Sequence, residues 1–142
     1  MTNKLYARED FDFWTTIYTN WGDMDGLRHI NHAAYLKYME TARLELYKQL
    51  GHKFDRWEQE ESSILASMEV NYFGQAVHPS IFEIGQRIVR IGTKSYDILT
   101  AIFKKGEAQP VLQANFILVS FNYDTGKTMP VQDDFKKYLN PL

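Results

Sequence analysis

The chain of 142 residues contains no cysteine. That absence removes disulfides, thiolate metal sites and a cysteine nucleophile, and it fits a reducing compartment. There is no apolar run of membrane-spanning length. Residues Met1 to Asp12 mix Lys4, Arg8, Glu9 and Asp10 with apolar side chains and hold no hydrophobic signal-peptide segment. The expected location is cytoplasmic, without membrane insertion. Excess charge is scarce as well, since 16 Lys plus Arg against 18 Asp plus Glu leave a formal net charge of -2. Such a balance argues against bulk electrostatic binding to nucleic acid, while a local basic cluster can still hold a phosphate. Internal repeats, low-complexity segments and interdomain linkers are missing too, and the length suits one domain over residues 1–142. What is abundant is apolar and aromatic residue, 44% and 15% of the chain, enough to bury one sizeable core.

The order of elements follows from periodicity. Phe13 to Thr19 alternates β-branched and aromatic residues and predicts a strand, ended by the polar, glycine-containing stretch Asn20 to Arg28. From Asn31 the period changes: Tyr35, Met39, Ala42, Leu46 and Leu50 recur at helical spacing, with Asn31 as N-cap and Gly51 as C-terminal stop. A shorter polar helix is expected over Phe54 to Glu61. Beyond residue 62 the pattern is β, with strands over Ile64–Phe73, Ile81–Ile91, Ser95–Phe103 and Val111–Asn122. In the first of these, alternation puts Ile64, Ala66, Met68, Val70 and Tyr72 on one face. Short connectors such as Lys104-Lys105-Gly106-Glu107 favour antiparallel neighbours. One long helix with an apolar stripe must bury it against the sheet, so the fold class is α+β, an antiparallel sheet wrapped around one central helix. The apolar outer face of that sheet is expected to meet another subunit.

Chemistry concentrates in Trp21-Gly22-Asp23-Met24-Asp25-Gly26-Leu27-Arg28-His29-Ile30-Asn31-His32. Two carboxylates, two imidazoles and an amide stand just ahead of a helix start, where backbone N–H groups lack internal acceptors and favour an anion. The residues alone leave several readings open. Asp23, Asp25, His29 and His32 have the donor chemistry of a metal site, but His29-x-x-His32 straddles a loop-to-helix junction and only the isolated His52 and His78 lie downstream. No metal or cofactor is therefore expected. Asp23 reads as a loop-shaping residue that bonds backbone amides, and Asn31 as a helix cap or a substrate ligand. Glu40 and Arg43, three apart, form either a surface pair of about 0.2–0.5 kcal/mol or a buried pair near a subunit interface.

The run Asp23-x-Asp25-x-x-x-His29-Ile30-Asn31-x-x-x-Tyr35, with Glu40-Thr41-Ala42-Arg43 after it, resembles the signature of hotdog-fold acyl-CoA thioesterases of the 4-hydroxybenzoyl-CoA thioesterase type. The likeness continues through Val70-x-Tyr72 and Arg90-Ile91-Gly92-Thr93-Lys94-Ser95. It implies a hotdog fold, a homodimer or homotetramer with sites at subunit interfaces, and an acyl-CoA substrate whose coenzyme A is consumed rather than kept as a cofactor. It also implies Asp25 as the catalytic carboxylate and the His32 amide as the donor polarising the thioester carbonyl. Departures from the pattern are Arg28 where glycine is common, His32 where asparagine is common, and Pro79-Ser80 where a Gly-Asp turn is typical.

Thioester hydrolysis needs a group that attacks or activates water, and donors for the oxygen that becomes negative. Asp25 supplies the first as nucleophile or general base, and the helix start near His32 supplies the second. His29 either orients Asp25, contacts the thioester or is structural. Arg90 and Lys94, at the Gly92 turn, and Lys104 and Lys105, at the next, are candidates for phosphate contacts. Two other functions fit the same fold: a hotdog hydratase or dehydratase, whose Asp and His are usually spaced differently from Asp25 and His29, and a binding protein for acyl thioesters without turnover.

Overall fold

The computed structural model describes residues 4–52 and 60–142. Its elements run β1 (Phe13–Tyr18), α1 (His32–Gln49), β2 (Glu61–Tyr72), β3 (Ile81–Ile91), β4 (Ser95–Lys104), β5 (Leu112–Asn122), β6 (Lys127–Thr128) and α2 (Asp133–Lys136). The sheet order is β1-β3-β4-β5-β2 with every pairing antiparallel, and β6 sits beside the end of β5. This is the hotdog arrangement, an antiparallel sheet curled around one long helix. The order of a strand, a long helix and four strands is the predicted one. A two-residue strand and a single helical turn are too short to leave a periodic signal, which is why β6 and α2 were not anticipated. The expected helix over Phe54 to Glu61 lies mostly outside the described residues, and Glu61 itself begins β2.

Helix α1 starts where its cap is made. The Ala33 N–H donates to Asn31 Oδ1 at 2.9 Å, and just past the other end Gly51 takes φ +92, a left-handed conformation that glycine adopts without strain. Tyr35, Met39, Ala42, Leu46 and Leu50 are all buried, as their spacing predicts, and Tyr38, Arg43 and Tyr47 widen the buried stripe. They pack on the inner face of the sheet, on Phe82, Ile84 and Ile88 of β3, Tyr96, Ile98 and Ile102 of β4, and Leu112, Phe116 and Leu118 of β5.

Two details differ from expectation. A bulge between Leu65 and Ser67 breaks the alternation of β2. Leu65, Met68, Val70 and Tyr72 therefore face the helix side, opposite Leu118, Phe116, Ala114 and Leu112, while Ile64 turns outward opposite Val119. The outer face of the sheet, expected to meet another subunit, is in part covered by the chain's own N-terminal residues. Phe11 packs with Leu99, Ala101 and Phe103 in a second apolar cluster joined by Tyr6 and Val89. The strap is held by backbone as well as by rings: the Tyr6 N–H donates to Gln113 Oε1 (2.6 Å), Gln113 Nε2 donates to the Lys4 carbonyl (2.7 Å), and the Asp12 N–H donates to the Gln86 carbonyl (3.0 Å). Gly85 makes room for it, since a Cβ there would stand 2.8 Å from Phe11.

Among the described residues no helix is long and apolar enough to cross a membrane.

Candidate active site at the start of the long helix

Between β1 and α1 the chain makes a 3-10 turn over Trp21–Asp23 and then a tight loop bracketed by a bridge between Met24 and Ile30. The Asp25 N–H donates to the His29 carbonyl at 2.8 Å, closing the loop. In return Asp25 Oδ1 accepts from the N–H groups of Leu27 (2.8 Å) and His29 (3.2 Å). One carboxylate oxygen thus shapes the loop, and among the described residues Asp25 Oδ2 has no hydrogen-bond partner. Arg28 sits at φ +69, the left-handed conformation that glycine favours. Glycine, which the resemblance leads one to expect here, would take this conformation without strain.

Three bonds tie this loop to the helix and to the connection between β2 and β3. The Asn31 N–H donates to the Asp23 carbonyl (2.8 Å), the Ile30 N–H to the Ala76 carbonyl (2.8 Å), and the buried Tyr38 hydroxyl to Asp23 Oδ2 (2.5 Å). Asp23 ties the loop to the helix, but its carboxylate does so through the Tyr38 hydroxyl and not through the backbone amides expected of it, which the Asp25 carboxylate accepts instead. Burial first, and then the bond to the Asp23 carboxylate, push the Tyr38 hydroxyl well above the ordinary tyrosine range, so it stays a proton donor at working pH. The role of Tyr38 was not visible in the sequence. The only sign is its place three residues after Tyr35, two turns beyond the cap.

At the helix start, Asn31 uses Oδ1 for the Ala33 amide and its carbonyl for the Ala34 amide (2.9 Å). Among the described residues the His32 amide has no acceptor, and the exposed His32 side chain leaves that end open to solvent. Tyr72 of β2 reaches the same place, its hydroxyl donating to the His32 carbonyl at 2.9 Å and its ring edge-on to Tyr35.

Two of the hollows beside the loop bear on the site. One of about 120 Å³ is lined by Gly22, Asp23, Asn31, Ala33, Ala34 and Lys37. The other, of about 340 Å³, is lined by His29, Gln75, Ala76, Val77, Ser80 and Lys104. Asn31 lines the first hollow and His29, with Lys104, the second, while Asp25 is joined to His29 through the loop's backbone and His32 follows the Asn31 cap. Arg90 and Lys94 are not brought to this site within the chain. Ile81 pairs with Tyr18, next to the loop, and Arg90 lies roughly 30 Å further along β3 at about 3.3 Å per residue. There Arg90 is engaged by Asp97 Oδ1 (2.7 Å) and Ser95 Oγ (2.8 Å). Among the described residues no three His, Asp or Glu side chains converge as metal ligands.

Residues 19–139 match the family described as the Thioesterase-like superfamily, and no curated protein matches the sequence. Solved structures share the architecture. The PA5185 protein of Pseudomonas aeruginosa strain PAO1 is 22% identical with a TM-score of 0.87, over 96% of this chain and 94% of its own. A predicted thioesterase from Bacillus stearothermophilus is 27% identical with a TM-score of 0.77, over 92% of this chain and 98% of its own. A DHNA-CoA thioesterase from Staphylococcus aureus is 20% identical with a TM-score of 0.76, over 89% and 85%. The family match takes in the loop, its cap and the whole of α1, and on that ground the chain belongs to the thioesterase-like superfamily of thioester hydrolases.

Proposed function

We propose that the chain is an acyl-CoA thioesterase in which Asp25 supplies the reacting carboxylate and the His32 amide holds the carbonyl oxygen. The observation that carries this is the pairing of a carboxylate with one oxygen free and a helix start with one amide free, on a loop bonded to that helix. The carbonyl oxygen becomes negative as the thioester carbon turns tetrahedral, and an unpaired N–H at a helix N-terminus stabilises that charge. Asp25 either takes a proton from water as it attacks, or attacks itself to form a mixed anhydride that water then cleaves. Either route consumes one water and yields a carboxylic acid and the free thiol.

His29 closes the loop through its backbone and lines the larger hollow, so its ring faces the pantetheine arm in this reading. Lys104, in the same hollow, and its neighbour Lys105 take the phosphate role for which Arg90 and Lys94 stand too far along the sheet. The edge strand β2, with Leu65, Met68 and Tyr72 exposed on the helix side, favours self-association as a homodimer or a larger even assembly.

The test is thiol release from short, medium, long and aromatic acyl-CoA substrates by the wild type and Asp25→Asn. Turnover in the variant should fall at least about 100-fold, the scale of a lost acid–base or nucleophilic group, with dimerisation intact. Undiminished release by Asp25→Asn would remove Asp25 from the mechanism. Binding of acyl-CoA by the wild type without release would mark a carrier in place of a hydrolase.

A further inference from the structure

Arg43 is the one cation of α1 that faces inward, since Lys37 and Lys48 are exposed. It is 9% exposed, its guanidinium stands over the Phe116 ring at 5.0 Å, and its buried Nη1 has no hydrogen-bond partner. Among the described residues no carboxylate pairs with it, and Glu40, one helical turn away, is exposed and unbonded to it. A buried guanidinium without a counter-charge is strongly unfavourable, so an anion from outside the chain is called for.

The neighbours of Arg43 suit a polar end group. The Tyr47 and Tyr96 hydroxyls lie 2.6 Å apart, and the Tyr96 hydroxyl donates to Ser63 Oγ of β2, also at 2.6 Å. Ser63 thus keeps its own O–H to donate, and among the described residues that proton has no acceptor. Burial pushes both tyrosine hydroxyls up, and the charge of Arg43 offsets part of that, so the guanidinium stands within electrostatic reach of the hydroxyl chain.

An apolar track leads there from the candidate active site. Tyr72 bonds to the His32 carbonyl at one end, and Ser63 connects through Tyr96 to Tyr47 at the other, so α1 and β2 run antiparallel along a shared cleft. Between these ends Leu65, Met68 and Tyr72 are exposed on the helix side, and Met68 pairs with the Phe116 that lies under Arg43. From His32 to Arg43 the helix advances roughly 16 Å at about 1.5 Å per residue, and the Arg43 side chain leans back toward the helix N-terminus, which shortens the gap. An extended hydrocarbon advances roughly 1.25 Å per carbon, the projection of a bond of about 1.5 Å, so about ten to twelve carbons bridge it.

We propose that this cleft takes an acyl group ending in a second carboxylate, the thioester carbonyl on the His32 amide and the far carboxylate paired with Arg43 and accepting from Ser63. The substrate class is then the monothioesters of long dicarboxylic acids, and hydrolysis consumes one water to give the free dicarboxylic acid and the thiol. This rests on the thioesterase reading above. Arg43 selects the substrate from the end remote from the reacting atoms.

The test is kcat/KM for thiol release by the full chain from acyl-CoA pairs of equal length, about eight to fourteen carbons, ending either in a carboxylate or in a methyl group. The wild type should favour the carboxylate end at least about tenfold near the bridging length, the scale of a charge-assisted, bidentate contact. Arg43→Met should abolish or reverse that ratio, and Arg43→Lys, which keeps the charge without the planar fork, should retain part of it. Each ratio is read within one variant, so a smaller folded fraction cancels. A wild type that does not distinguish the two ends at any length overturns the inference, and this is the result if a second copy of the chain already neutralises Arg43. A ratio in Arg43→Met equal to that of the wild type overturns it too. If the wild type releases thiol from none of the substrates, the thioesterase reading fails instead, and calorimetric binding of the same pairs to the wild type and Arg43→Met decides the inference by the same ratio.

Discussion

Arg28 holds its backbone at φ +69 with a side chain that has no need to be there. A left-handed conformation costs a non-glycine residue about 1–2 kcal/mol, and glycine returns part of that through the greater freedom of its unfolded chain. Arg28→Gly should therefore stabilise the fold by about 0.5–1 kcal/mol, read as a raised midpoint in thermal or urea unfolding. An unchanged or lowered midpoint would mean that the loop relaxes elsewhere. Tyr38 makes the complementary case. Its hydroxyl is bonded to Asp23, whose carbonyl in turn receives the Asn31 N–H, so it fixes the loop of Asp25 against the helix start. Tyr38→Phe keeps the ring and removes that donor, a bond to a charged group worth about 1.5–3 kcal/mol in general. The expected outcome is a roughly tenfold fall in kcat with KM little changed, about 1.4 kcal/mol in barrier height. Local spacing made Asn31 legible as a cap, because a cap ahead of a helical period is a pattern along the chain, whereas Asp25 stands out through its resemblance to the family's motif. Tyr38 was illegible because its partner lies fifteen positions back and only the folded loop brings the two together.

At the level of elements the strand that reads most plainly is β4, with Tyr96, Ile98 and Ile102 against the helix side and Leu99, Ala101 and Phe103 on the other. Its two-sided apolar pattern is that of a strand able to be covered on both faces. The pattern did not say by what, since a strap such as residues 4–12 has no period of its own. The strap also has an electrostatic anchor, Arg8, whose guanidinium bonds Glu83 at 2.9 Å and stacks on Phe103. The Gly106 N–H first, and then Arg8, hold the Glu83 carboxyl below its ordinary 4.5. A carboxylate lowered in the folded state stabilises fully above its unfolded pKa and loses that contribution as pH falls through the folded one. Glu83→Gln should thus lower stability by under about 1 kcal/mol at pH 7, the scale of a solvent-screened pair. The gap to the wild type should close in acid, below the ordinary carboxylate range, as followed by urea titrations at stepped pH. Gly85 tests the same packing sterically. Gly85→Ala puts a methyl 2.8 Å from Phe11, and an overpacked seat of this kind costs about 1–3 kcal/mol by the same measurement.

For the molecule as a whole, the strap decides which of two apolar surfaces is available for association. The inner side of β2 is open, with Leu65, Met68 and Tyr72 exposed, whereas the outer side of β4 is closed by Phe11 and Tyr6. A sheet with both surfaces open can grow in two directions, and covering one confines growth to the other. Removing residues 1–12 uncovers Leu99, Ala101 and Phe103 and also takes away the Arg8 contacts that shield Trp14 and Phe103. The inner core, built from α1 against β3, β4 and β5, does not include any of the deleted side chains. The truncated chain should therefore keep its secondary structure by circular dichroism and still release thiol. Its sedimentation should show species larger than those of the full chain, growing with concentration, because the newly bared rings find one another. If the truncated chain sediments as the full one does, the strap is a local seal without influence on assembly. If it unfolds outright, the outer cluster contributes to the core far more than its separate packing implies.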